Sequence, residues 1–187
     1  SALICLASGY LITGGLHIDG LMDTFDGIFA GKKKRLKAMK DSKVGSFGVQ
    51  ALFFITLIQI ACLLKIQNQI FFVLPICLFW GRFSNLFLIE KFKYISHKKK
   101  SFSHKKFWKG FKKESLISII FLLIFITYQF ISFPSQRILI KNLFLIVFGI
   151  FFSNAIPSIL GKKIGGFNGD ACGASTVIVE TAMLFMH

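Results

Sequence analysis

Charge is excluded from three long stretches of this chain. Val44–Leu64 carries no charged residue over 21 positions, Ser115–Gln136 none over 22, and Asn142–Gly161 none over 20. About 20 apolar residues in a helix, at about 1.5 Å each, cross the hydrocarbon core of a bilayer. Inside that core every backbone N–H and C=O needs an internal partner, and a helix supplies one within its own segment. The expected fold is therefore all-α, a polytopic transmembrane helical bundle. Three weaker segments bring it to about six membrane helices. Residues 1–16 are apolar but short, Ile66–Ile89 is interrupted by Arg82, and Ala171–His187 by Glu180. A chain that is 54% hydrophobic with 24 phenylalanines is not expected to be a soluble domain. Ser1 lies inside an apolar run with no signal-peptide layout, so the chain is expected to start part-way into a membrane helix. All four cysteines, Cys5, Cys62, Cys77 and Cys172, sit in apolar segments without metal-like spacing and read as small buried hydrophobes.

The formal charge of +15 is laid out in blocks. Residues 32–43 hold seven Lys/Arg, residues 91–113 hold ten Lys, and Lys162 and Lys163 add two. With six helices these blocks share one side, leaving Lys65, Arg137 and Lys141 opposite. That asymmetry follows the positive-inside rule and predicts a plasma (inner) membrane protein, multi-pass, with the basic side in the cytoplasm. The lysines are expected to meet anionic lipid headgroups. No nucleic-acid partner is expected, because the basic blocks flank membrane helices and contain no recognisable binding module.

Only eight acidic residues occur, and Asp19, Asp23 and Asp26 fall within eight positions. Their spacing puts all three on one face of a helix. Carboxylates about 6 Å apart repel by roughly 3 kcal/mol at an effective dielectric of about 20. A hard divalent cation, Mg²⁺, is the simplest way to offset that repulsion. Helix capping with interfacial solvation is the plainer alternative. The block Met39–Gly48 brings Lys40, Ser42, Lys43 and glycine amides to the start of a helix, which makes either an ordinary loop or a phosphate cradle. On the charge topology both blocks lie at the cytoplasmic end. So does Gly165–Asp170, where Asn168 and Asp170 are also natural turn and N-cap residues. His17 borders the aspartates and is a candidate ligand or proton carrier. His97 and His104 stand among lysines and read as solvated loop residues.

Arg82 and Glu180 are the two clearest charges inside hydrophobic segments. Each lies about 13–15 Å from the cytoplasmic edge of its helix by the rise per residue. A lone charge at that depth is costly, so the two are expected to pair and to floor a polar cavity. The competing expectation is that Arg82 holds a substrate phosphate.

Four blocks together resemble a known family. Thr13–Gly27 contains Asp-x-x-Asp-Gly with Asp19 one turn earlier, and closely resembles the signature of cobalamin synthases (adenosylcobinamide-GDP ribazoletransferases). Met39–Gly48, Gly81-Arg82-Phe83 and Gly165–Asp170 with Gly173-Ala174 are similar to that family's later blocks, in the same order. Asn168 stands where the family usually has Thr. Val177 takes the first of two usual glutamate positions, leaving Glu180. The resemblance implies a single integral membrane transferase domain over 1–187, N-terminally truncated. It also implies the last steps of cobalamin biosynthesis. Adenosylcobinamide-GDP is joined to α-ribazole or its 5′-phosphate, and GMP is released. The implied catalytic residues are Asp19, Asp23, Asp26 and His17. Asp19, Asp23, Asp26 and Asp170 are the implied metal ligands, and Lys40, Ser42, Lys43 and Arg82 the phosphate ligands.

Two other readings use the same carboxylates. CDP-alcohol-type phosphotransferases of phospholipid synthesis also carry Asp-x-x-Asp-Gly. Their Ala-Arg is missing, since Ala30 is followed by Gly31, and their downstream pair of aspartates is absent. A cation transporter would need polar residues across several helices, whereas 115–136 and 142–161 offer few.

Overall fold

The computed structural model describes residues 2–66, 69–95, 108–133 and 135–187. His97, His104 and the lysines between Lys98 and Lys106 lie outside the described residues. Eight helices are described: α1 (Ala2–Ile12), α2 (Leu16–Phe29), α3 (Arg35–Ala38), α4 (Ser46–Ile66), α5 (Ile70–Lys91), α6 (Phe111–Ser132), α7 (Gln136–Ile164) and α8 (Gly169–Met186). No strand is formed among the described residues, apart from an isolated bridge between Tyr94 and Phe167.

The all-α membrane class is as expected, but six spans is too many. Four helices are long and apolar enough to cross a membrane: α4, α5, α6 and the 138–164 part of α7. A fifth is reached if α1 and α2 count as one broken span, bent by 86°. The bend has a local cause. Gly14 and Gly15 have φ of 59° and 72°, a left-handed conformation that L side chains resist, and they end α1 before the aspartates begin. The aspartates therefore sit on a helix of their own rather than at the end of an entering one.

α8, expected as the sixth span, is instead the centre of the bundle. It packs against α2, α4, α5 and α7. Ala171, Gly173, Ala174, Ser175 and Thr176 are all buried. Apart from Phe185 near its end, α8 exposes no large apolar side chain, and its small residues are held by close backbone approach and by polar bonds between helices. Ser84 and Ser175 hydroxyls meet at 2.8 Å, Asn85 Nδ2 donates to Thr176 Oγ1 at 3.0 Å, and Gln59 Nε2 donates to Thr181 Oγ1 at 2.9 Å. The outer helices show the reverse pattern. On α6, Ile117, Phe121, Leu123 and Ile124 are exposed, as a lipid-facing surface requires.

The chain reverses between successive long helices, so the starts of α4, α6 and α8 share one end with the finishes of α5 and α7. Phe87 and Phe111 rings lie 4.9 Å apart there. Ile95 N donates to Phe167 O at 2.8 Å, and Phe167 N to Lys93 O at 2.9 Å. Arg35 Nη1 donates to Ile164 O at 3.1 Å, closing the C-terminus of α7 with a cation. Lys141, by contrast, donates to Gln69 Oε1 at 2.6 Å at the far end. The described lysines of the three basic blocks thus lie at one end, and the aspartates face that end.

Candidate active site

The carboxylate face of α2 is built by close packing on two sides. Gly20 lies against the Asp170 backbone, where a Cβ would come within 2.8 Å of Asp170 O. This contact brings the start of α8 beside Asp19 and Asp23. On the other side, Gly27 leaves room for the buried Met39 side chain, which anchors the 39–45 loop onto α2. Lys43 N donates to Asp41 Oδ1 at 3.1 Å and shapes that loop into a turn.

The result is a cavity of about 220 Å³ whose wall includes Asp19, Asp23, Asp26, Lys40, Ser42 and Lys43. Two sequence blocks thus meet at one space, the α2 carboxylates from one and Lys40 and Lys43, with Asp41 between them, from the other. Asp19 is exposed, while Asp23 and Asp26 are half-buried. Asp23 lies in the electrostatic field of Asp19, Asp170 and Asp26. Asp170 joins the group through the start of α8. Burial, and after it the Asp19 carboxylate, holds its pKa above the ordinary carboxylate value, while Asn168 and Lys40 act the other way. Asn168 is the N-cap of α8, as expected, and also holds the Asp170 carboxylate. Its Oδ1 caps α8 by accepting from Ala171 N at 2.9 Å, and its Nδ2 donates to Asp170 Oδ2 at 2.8 Å.

Asp26 has a further task that its sequence position does not show. Its Oδ2 accepts from Gly45 N at 2.9 Å and its Oδ1 from Gly48 N at 2.8 Å. It caps the N-terminus of α4 from another helix, satisfying amides that α4 cannot satisfy itself. Gly45 and Gly48 are required for this approach, since a Cβ on either would collide with the carboxylate. One lone pair on each oxygen is thereby committed, which leaves Asp19 and Asp23 the more available oxygen donors.

Among the described residues, no three His, Cys, Asp or Glu side chains converge tightly enough to hold a metal ion alone. Mg²⁺ usually takes one or two carboxylates, several waters and substrate phosphate oxygens instead of an all-protein cage. Asp19 and Asp23 beside a lysine-lined cavity are a donor set of that kind.

His17 and Arg82 are not in this cavity. They line a second one of about 280 Å³ between α1, α2, α4, α5 and α8, together with Glu180. Arg82 and Glu180 form the expected ion pair through Nη1 and Oε1, and Arg82 Nη1 also donates to Leu78 O at 3.0 Å. The walls around the pair are mainly apolar, so the space is not the polar cavity the sequence led one to expect.

The family model for cobalamin-5-phosphate synthase matches residues 1–187, taking in all four blocks. The chain belongs to that family. Among similar members, the adenosylcobinamide-GDP ribazoletransferase of one Prochlorococcus marinus strain is 44% identical over 185 residues, 98% of this chain and 71% of that protein. The adenosylcobinamide-GDP ribazoletransferase of Alkaliphilus oremlandii (strain OhILAs) is 33% identical over 181 residues, 95% of this chain and 68% of that protein. No solved structure matches the chain. As a cobalamin synthase it is a transferase, and the CDP-alcohol and transporter readings find no support in the match.

Sequence reasoning missed two features of this synthase. One is the Asp26 cap, whose only signal is a pair of glycines three residues apart at a helix start. The other is a polar chain beside the second cavity, in which Tyr10 OH donates to Gln59 Oε1 at 2.9 Å and Gln59 donates on to Thr181. Tyr10 and Gln59 lie 49 positions apart in apolar runs, and no local pattern marks them as partners.

Proposed function

We propose that this chain joins adenosylcobinamide-GDP to α-ribazole or its 5′-phosphate and releases GMP, with Mg²⁺ as cofactor. The carrying observation is the shared cavity of Asp19, Asp23 and Asp26 with Lys40, Ser42 and Lys43. A diphosphate needs cationic donors on its oxygens and a hard cation held by carboxylates, and this wall carries both kinds of group.

In this reading a ribose hydroxyl of the acceptor attacks the phosphorus nearer the corrinoid. A new O–P bond forms, the P–O bond to the GMP phosphate breaks, and GMP leaves with the electron pair. Lys40 and Lys43 hold diphosphate oxygens as point charges, and the Ser42 hydroxyl donates a further bond. Asp23, half-buried on the same wall, takes the hydroxyl proton. Mg²⁺ held by Asp19 and Asp23, with Asp170 and the remaining lone pairs of Asp26 beside them, would neutralise diphosphate charge. Asp26 itself keeps the lysine loop seated over the carboxylates. Because Arg82 is already paired with Glu180, the phosphate role falls on the lysines.

The basic end of the bundle, and with it the reaction, is assigned to the cytoplasmic face of the inner membrane on the positive-inside rule. The test is direct. Membranes carrying the chain are incubated with adenosylcobinamide-GDP, α-ribazole-5′-phosphate and Mg²⁺. GMP and a cobamide product are expected, and Asp23→Asn abolishes both while membrane insertion is unchanged. GMP release that does not depend on the acceptor, or near-normal turnover by Asp23→Asn, refutes the reading.

A further inference from the structure

The second cavity lies across α2 from the carboxylates. His17 and Ile18 border it, and Asp19 borders the carboxylate cavity, so α2 is the common wall. From His17 to Asp23 is about 9 Å along the helix axis, with the two faces about 120° apart around it. At about 280 Å³ it is close to the lower end of small-molecule sites, which run from about 300 Å³.

Its chemistry is selective. Leu63, Leu74, Leu78 and Val177 give it apolar walls. Polar groups enter at Tyr10, His17, Gln59, Arg82 and Glu180, and at Ser8 and Thr13, whose hydroxyls donate to backbone carbonyls of α1. The Arg82 charge is met by Glu180, so the pair offers no net charge to a ligand. A phosphate is therefore a poor occupant. Arg82 commits Nη1 to Glu180 and Leu78 O, and its side chain is still 49% exposed, so the rest of its fork can donate to a neutral acceptor.

These properties match one part of the substrates named under the proposed function, on which this inference rests. The corrin macrocycle is far too large for the space. Guanine carries several donors and acceptors that apolar walls would leave without partners. The bicyclic base of an α-ribazole-type acceptor is planar and apolar, and has one acceptor nitrogen and no donor. We propose that this cavity is the acceptor-base site, with the base between the leucine walls, its free nitrogen hydrogen-bonded by Arg82, and its ribose directed along α2 toward Asp23. Arg82 would then be a substrate-binding residue for a neutral base, and Glu180 the residue that positions it.

Two substitutions from opposite walls test this in the full chain in nanodiscs. Gly9 borders the cavity, and a Cβ built there meets no atom within 4 Å, so the side chain of Gly9→Phe starts in open space. Leu78→Phe narrows the space from α5. Both are expected to raise KM for α-ribazole-5′-phosphate at least ten-fold and to leave KM for adenosylcobinamide-GDP within two-fold. An acceptor with a single-ring imidazole base should be affected less than three-fold. The same order should appear in acceptor binding measured by calorimetry without donor. The site is refuted if acceptor KM is unchanged in both variants, or if bicyclic and single-ring acceptors suffer equally. It is also refuted if donor KM rises instead, which would assign the space to guanine. Turnover that follows acyl-chain length at constant acceptor KM would assign it to lipid and refute it as well. If wild-type membranes release no GMP at all, the proposed function itself fails. If they do release GMP and the variants bind acceptor normally, only the base site fails.

Discussion

Replacing Asp26 separates a structural role from a metal role. The Asp26 carboxylate accepts two backbone N–H bonds at the start of α4, 2.9 Å from Gly45 N and 2.8 Å from Gly48 N. Asp26→Ala leaves both amides without a partner at a half-buried helix end. Removing an N-cap acceptor costs about 0.5–2 kcal/mol, and a hydrogen bond to a charged group is worth about 1.5–3 kcal/mol. Two such bonds, partly replaced by water, put the loss at about 2–3 kcal/mol. Asn keeps one oxygen acceptor but turns an amide donor toward the second N–H, so about 1–2 kcal/mol is expected for Asp26→Asn. For a chain of 187 residues, 2–3 kcal/mol corresponds to a fall in Tm of about 4–12 °C. Asp19 is exposed and makes no hydrogen bond through its side chain among the described residues, so Asp19→Ala should leave Tm within about 1 °C. Thermal unfolding in detergent micelles, followed by intrinsic tryptophan fluorescence, reads both variants. Limited proteolysis at 40–45 should also accelerate in Asp26→Ala, because the lysine loop loses its fastening. If Asp26→Ala melts with the wild type and behaves like Asp19→Ala, the capping argument is wrong and Asp26 belongs with the freely available carboxylates.

Gly20→Ala should force α2 and α8 apart, since the added Cβ meets Asp170 backbone atoms at 2.8 and 3.0 Å, which cannot rotate away; a loss of about 1–3 kcal/mol and a marked fall in turnover are expected by unfolding and GMP release. For the ion pair, Arg82→Met and Glu180→Met should each destabilise while the double variant is no worse than either single, and additive losses would deny the coupling. A cysteine at Gly110 should be shielded from an impermeant thiol reagent outside the cell and one at Ser135 labelled; the reverse pattern would overturn the assigned orientation.

What the sequence determined by itself is local in its physics. A charge-free run of about 20 residues is excluded from water wherever it lies, so α4, α6 and the membrane part of α7 were legible from composition along the chain, and α5 more weakly because Arg82 interrupts it. The face shared by Asp19, Asp23 and Asp26 follows from helical period alone. The N-cap at Asn168 reaches no further than Ala171. The pairing of Arg82 with Glu180 was also accessible, because two charges at equal depth in an apolar medium have few other partners. Tertiary structure decided the rest. It made α8 the centre rather than an outer span, because its small residues permit contact on every side, a property that hydropathy averages out. It turned α2 by 86° from α1 through two left-handed glycines. It set the lysine loop opposite the carboxylates and gave Asp26 to the amides of α4, a contact between residues 19 and 22 positions apart. It also divided the expected single site, leaving His17 and Arg82 in an apolar cavity across α2 from Asp19 and Asp23. Which side of a helix a residue occupies is written in the sequence, whereas what lies opposite it depends on how neighbouring helices pack.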